Sequence, residues 1–121
     1  MEKTRDFREL IVWQKAHQFV IEIYSLTSRF PREELFGITS QIRKASVSIA
    51  ANIAEGYSKR GPRDKMRFFN IAQGSLSECK YYLILIHDLK YGSVEEIGLH
   101  LEEVSKLLNS YRRAIVKSVE G

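Results

Sequence analysis

The chain has 121 residues, 44% of them hydrophobic and 28% charged, with a formal net charge of +4. That balance suits one globular domain over residues 1–121 with a modest core, and it excludes a disordered chain. The single cysteine, Cys79, cannot form an internal disulfide and fits a reducing compartment. No apolar run approaches the ~18 residues of a membrane span, and MEKTRDFREL holds no apolar signal core, so a cytoplasmic protein without a membrane partner is expected.

A first helix is expected over about 7–28, with Asp6 as N-cap and Glu9 closing a capping box. Trp13, Ala16, Val20, Ile23, Thr27 and Phe30 alternate by three and four, and Val12, Phe19 and Leu26 recur beside them, so its apolar face is wide. Pro31 ends it, because the residue before proline avoids helical geometry. In the connection 31–37, Glu33 and Glu34 make a turn, and Leu35 and Phe36 are expected to plug the end of the bundle. Helix two follows over about 38–57. Ile38, Ile42, Ala45, Ile49 and Ile53 form its core stripe. Ser46, Ala50, Ala54 and Ser58 form a second face of small side chains that lets another backbone approach.

Pro62 suits the first turn of a third helix over about 62–90. Its stripe is Phe69, Ala72, Leu76, Cys79, Leu83 and Ile86, interrupted at Gly74 and Ser75, where close packing of another helix is expected. The six residues from Tyr81 to Ile86 are apolar on every side, more than an isolated small bundle covers. Tyr82, Ile84 and Leu85, which lie off the stripe, are therefore read as an oligomer interface. Gly92 is expected as the left-handed cap of this helix, and Ser93 with Glu96 as a second capping box. Helix four is expected over about 94–119, with Ile97, Leu101, Val104, Leu108, Tyr111 and Ile115 as its stripe. Four amphipathic helices, short loops and no strand candidate predict an all-α, up-down-up-down four-helix bundle.

The run TSQIRKASVSIAANIAEG, with LIVWQKAHQF upstream and FFNIAQGSLSE downstream, resembles the four-helix-bundle proteins first met in intervening sequences of bacterial large-subunit ribosomal RNA genes. The likeness covers roughly residues 7–115, with NIAEG and the IAxGSLxE run at the family's separation. The family often has proline where this chain has Ala50, a departure that bears on whether helix two is kinked. The resemblance implies a homo-oligomeric ring, a homopentamer. It also implies an architecture shared with the accessory proteins of diversity-generating retroelements, which are thought to contact nucleic acid and a reverse transcriptase.

The charged chemistry gathers in the loop 59–67. Lys59, Arg60, Arg63, Lys65 and Arg67 stand there against Asp64 alone, and Arg43 and Lys44 are expected to extend the same surface. Such clusters bind phosphate backbones by releasing condensed counterions, although a charge run also serves simply to solvate a loop. Tyr57 and Phe68 are the aromatics placed to stack on bases. Asn52 and Glu55 are read as structural polar groups, Glu55 joining an arginine of this chain or of a neighbour to fix helix register. His17, His87 and His100 have no histidine three or four residues away, so no metal site is expected. No phosphate loop, nucleophile elbow or CxxC motif is present, so no catalytic residue and no cofactor are assigned. The expected protein is a non-enzymatic, basic homo-oligomer that associates with RNA or DNA backbones. The alternatives are a scaffold for a protein partner without nucleic-acid binding, and an enzyme using Glu55 or His87.

Overall fold

The computed structural model describes residues 6–120; residues 1–5, where the MEKTRDFREL segment begins, and residue 121 lie outside it. Four α-helices carry the chain: α1 (Ile11–Thr27), α2 (Ser40–Ser58), α3 (Pro62–Asp88) and α4 (Glu95–Glu120), with no strand among the described residues. The stripes read from three-four spacing are the core. Ile42, Ala45, Ile49 and Ile53 of α2 are buried, as are all six stripe residues of α3 and Ile97, Leu101, Val104 and Leu108 of α4, with Tyr111 and Ile115 packed against them. From α1 come Val12, Ala16, Phe19, Val20, Ile23 and Thr27. Each buried Leu, Ile or Phe is worth roughly 1.5–3 kcal/mol of transfer free energy, so these stripes hold the helices together. Trp13, expected in the core, sits at its edge, stacked on His17 at 4.9 Å and meeting Phe7 edge-on at 5.0 Å.

The most extensive helix packing is α2 on α3; α1 packs on α2, α3 on α4, and α1 meets α4. Polar pairs mark how the helices run past one another. Lys15 meets Glu103 at 3.4 Å and Glu22 meets His100 at 2.6 Å between α1 and α4, while Lys80 meets Glu102 at 3.0 Å and Asn70 meets Arg112 at 2.8 Å between α3 and α4.

The helix ends depart from expectation in informative ways. Asp6 caps a single 3₁₀ turn, Phe7–Glu9, and α1 begins only at Ile11. The Asp6 carboxylate accepts the Arg8 N–H and guanidinium rather than closing a box with Glu9, and this pairing lowers its carboxyl to about 2. Leu35 and Phe36 do not plug the bundle: they are 49% and 91% exposed. The wide turn Leu35–Thr39 breaks at Gly37, whose φ of −106° and ψ of −120° leave the helical region, and that break turns both side chains outward. α2 runs unbroken through Ala50, so the position where the family often has proline carries no break in the helix. A Cβ at Gly74 would meet nothing within 4 Å, whereas one at Gly56 would stand 2.7 Å from Phe69 Cε1. α2 thus comes close at Gly56, and at Ser75, which is buried and donates to Ser48 of α2 at 2.7 Å, while the face at Gly74 stays open. Finally, α3 closes through Lys90 (φ 61°), not Gly92. Tyr91 N–H donates to Ile86 and Lys90 N–H to His87, the paired bonds of a Schellman cap, whose left-handed residue directly follows the C-cap.

Candidate nucleic-acid interface

The basic loop is built around the α2–α3 corner. α2 ends at Ser58, Lys59 leaves in extended geometry, and Pro62 opens α3 after Gly61. Because Gly56 has no side chain, Phe69 reaches the end of α2, and this draws Lys65 under the corner. Its ammonium donates to the carbonyl oxygens of Tyr57 at 2.8 Å and Gly56 at 3.4 Å, over the Tyr57 ring. Carbonyls in the last turn of a helix lack the usual donor four residues on, and a lysine there also complements the dipole; the Gly56 carbonyl accepts the Lys59 N–H at 3.2 Å as well. Burial pushes the Lys65 ammonium below its ordinary pKa. Lys65 thus closes a helix rather than facing a ligand.

Lys59 pairs with Glu55 at 3.5 Å, and Lys59 and Arg67 both lie over the Phe68 ring, at 5.1 and 4.8 Å. The Lys59–Glu55 pair is solvent-accessible and contributes under about 1 kcal/mol. The two aromatics expected to stack on bases therefore already carry cations within the chain. Arg60 and Arg63 are exposed and take no partner among the described residues.

The structure adds cations from a second, distant segment, Arg112, Arg113 and Lys117. The end of α4 returns to the start of α3, bringing Arg112, Arg113 and Lys117 beside Met66. Arg112 donates to Asn70 at 2.8 Å and to Asn109 at 3.1 Å, tying the two helices, and its Nε is buried without a partner among the described residues. Arg113 donates to Ser110 at 3.3 Å. The long apolar stripe of α4 was the signal available in the sequence: it requires a helix long enough to reach the α3 start. Around this end stand two open clefts. One, of about 400 Å³, is lined by Met66, Asn109, Arg112, Arg113, Val116 and Lys117. The other, of about 520 Å³, is lined by Pro62, Arg63, Met66, Arg67, Asn70, Ile115, Val116 and Val119.

Arg43 and Lys44 do not join this surface. Arg43 precedes Lys59 by sixteen residues of α2, about 24 Å at the rise of an α-helix, well beyond the ~8–10 Å over which surface charges act together. Arg43 donates from Nε to Thr27 Oγ1 at 2.8 Å and lies over the Tyr24 ring at 4.5 Å, binding α2 to α1. With Lys44 it borders a groove of about 680 Å³ floored by Tyr24, Leu35, Phe36 and Val47.

Asn52 and Glu55 have separate roles. Asn52 donates to the Ser48 carbonyl at 2.8 Å and hydroxyl at 3.0 Å, and Ser75 donates to that hydroxyl at 2.7 Å, so Asn52 steadies an α2–α3 link. Glu55 is exposed and, within its own chain, pairs with Lys59 rather than with an arginine. Of the residues read as oligomer interface, Ile84 is 59% exposed, while Tyr82 and Leu85 are half-buried against the core of their own chain. Tyr82 donates to Glu78 at 3.3 Å. Cys79 is fully buried, and that burial, with Glu78 nearby, pushes its thiol up to about 12. His87 meets Asp88 at 3.2 Å. Among the described residues no group of three His, Cys, Asp or Glu side chains could hold a metal ion, and no helix is long and apolar enough to cross a membrane.

Comparison with known proteins sets this geometry in a family. The sequence model of the 23S rRNA-intervening sequence proteins matches residues 8–110. A crystal structure of a protein of unknown function from the S23 ribosomal protein family of Bacteroides thetaiotaomicron is similar at a TM-score of 0.79 and 29% identity, over 85% of this chain and 96% of that one. No curated protein matches this chain.

Proposed function

The chain belongs to the 23S rRNA-intervening sequence protein family, and from that premise we propose that it is a non-enzymatic accessory protein that holds RNA or DNA by the phosphate backbone. The observation that carries this reading is the meeting of two basic segments at one end of the bundle. Eight cations (Lys59, Arg60, Arg63, Lys65, Arg67, Arg112, Arg113 and Lys117) collect there from stretches about fifty residues apart, against Glu55 and Asp64 among the described side chains. Arg60, Arg63, Arg67, Arg113 and Lys117 are exposed; in this reading Arg60, Arg63, Arg113 and Lys117 carry the binding, because Arg67 already lies over the Phe68 ring. Lys59 and Arg67 assist from the Phe68 ring, and Lys65 supports the corner. The bundle runs up-down-up-down in the same proposal, supported by the α1–α4 and α3–α4 pairs described above.

A titration with unrelated RNA and DNA at low and moderate salt tests it. Affinity is expected to fall with salt. Arg60→Gln, Arg63→Gln and Arg113→Gln each remove one cation from the phosphate backbone, and each should make the log–log salt dependence shallower by about 0.7–0.9. Lys44→Gln, at the far end of α2, serves as the control that leaves affinity unchanged. Absence of binding at low salt by the folded protein would sink the proposal.

A second reading, a homo-oligomeric scaffold for a protein partner, is favoured by exposed apolar side chains away from the basic end. Phe36 is 91% exposed, Leu99 70%, Ile84 59% and Tyr81 58%. A ring of copies buries such residues, and the two readings are compatible if the assembly leaves the basic ends open.

A further inference from the structure

We infer that the basic end is built for single-stranded rather than duplex nucleic acid, with unpaired bases entering the two clefts between α3 and α4. The inference rests on the proposed backbone binding and adds the class of strand. Both clefts share Met66 and Val116, so an apolar floor lies between the cationic rims of Arg63 and Arg67 on one side and Arg113 and Lys117 on the other. Val116 is 43% exposed and Met66 only partly covered. A purely phosphate-binding surface needs no apolar floor; an apolar floor ringed by guanidinium and ammonium groups matches a ligand that is flat and apolar at its centre and anionic at its edge. Cleft volumes of about 400 and 520 Å³ fall in the range of small-ligand sites and so suit nucleotide-sized groups.

Duplexes cannot use that floor. Their base faces are stacked inside and they present phosphate and sugar outward, whereas a single strand can splay its bases onto a protein surface. The aromatic rings at the corner are not the platform, because Phe68 lies under Lys59 and Arg67 and Tyr57 under Lys65. The floor at Met66 and Val116 is where uncharged packing is on offer, and packing there adds affinity that salt does not screen.

The test compares one RNA sequence as a single strand and as a hybridised duplex, titrated against the full-length protein at two salt concentrations. Single strand is expected to bind at least about tenfold tighter at the higher salt. Met66→Gln and Val116→Asn, which remove apolar surface without changing charge, are expected to weaken single-strand binding about fivefold each. Their salt slope and duplex affinity stay as in the parent, which also certifies the fold, and Met66→Leu restores single-strand binding. Equal affinity for both forms, or full single-strand binding by both floor variants, overturns the inference while leaving backbone binding intact. A change in oligomer mass in the floor variants with single-strand affinity untouched assigns the clefts to a second copy of the chain and likewise overturns it. Absence of binding to either form at low salt removes the backbone-binding proposal itself.

Discussion

Gly56→Ala and Gly74→Ala are the same change at two helical glycines, and their surroundings predict opposite signs. Alanine gains roughly 1 kcal/mol of helix propensity over glycine in a helix interior. At Gly74 nothing lies within 4 Å of the new Cβ, so the gain is kept, and Gly74→Ala is expected to stabilise the chain by about 0.5–1 kcal/mol. At Gly56 the new Cβ would stand 2.7 Å from Phe69 Cε1, 3.0 Å from its Cδ1 and 3.2 Å from the Lys65 carbonyl oxygen. Phe69 is 2% exposed and sits edge-on to Tyr111 at 6.5 Å, so relief requires the α3 backbone to move. Overpacking of this kind typically costs about 1–3 kcal/mol; with Phe69 held in the core the cost falls in the upper part of that range, exceeds the propensity gain and leaves Gly56→Ala less stable by up to about 2 kcal/mol. For a chain of this length that corresponds to a Tm lower by several degrees. Urea unfolding followed by circular dichroism measures both variants, with midpoints moving in opposite directions at unchanged slope. A Gly56→Ala midpoint at or above that of the parent would refute the close α2–α3 approach. The double variant Gly56→Ala with Phe69→Leu should show a favourable coupling, since the two residues touch.

Lys90 holds φ 61°, a conformation that costs a side-chain-bearing residue roughly 1–2 kcal/mol, so Lys90→Gly is expected to raise the urea midpoint; no rise would mean that α3 does not end in this cap. Burial holds the Cys79 thiol up to about 12 against an ordinary 9.0. The folded state thus keeps its proton while the unfolded chain ionises, so this contribution to stability is whole below pH 9 and is lost as pH rises toward 12. Thiolate absorbance of the native protein should stay flat through pH 10, and a rise near pH 9 would contradict the burial. Ile84→Lys places a charge on a side chain already 59% exposed, so the helices should stay intact within about 0.5 kcal/mol while the mass of any assembly falls. An unchanged mass removes Ile84 from the interface.

The basic end marks the reach of a linear reading. Lys59, Arg60, Arg63, Lys65 and Arg67 lie within nine residues, so their clustering follows from the chain itself. Their roles do not. Lys65 serves α2 carbonyls because Gly56 admits Phe69, and that depends on how two helices cross. Arg43 and Lys44 lie in α2 and Lys59 directly follows it, yet the rigid helix separates Arg43 from Lys59 by about 24 Å.

The inward face of every helix was legible in the amino-acid order alone, because a 3.6-residue period makes side-chain direction a local property. So were the approximate helix ends, because proline and the polar runs act on their own neighbourhoods. Other features needed the helices to be packed. The break at Gly37 turned Leu35 and Phe36 outward, the length of α3 put Lys90 rather than Gly92 in the left-handed position, and the return of α4 carried Arg112, Arg113 and Lys117 to residues fifty positions earlier. Each of these turns on where a rigid helix stops and what it then meets, a property of the packed whole rather than of any window along the chain.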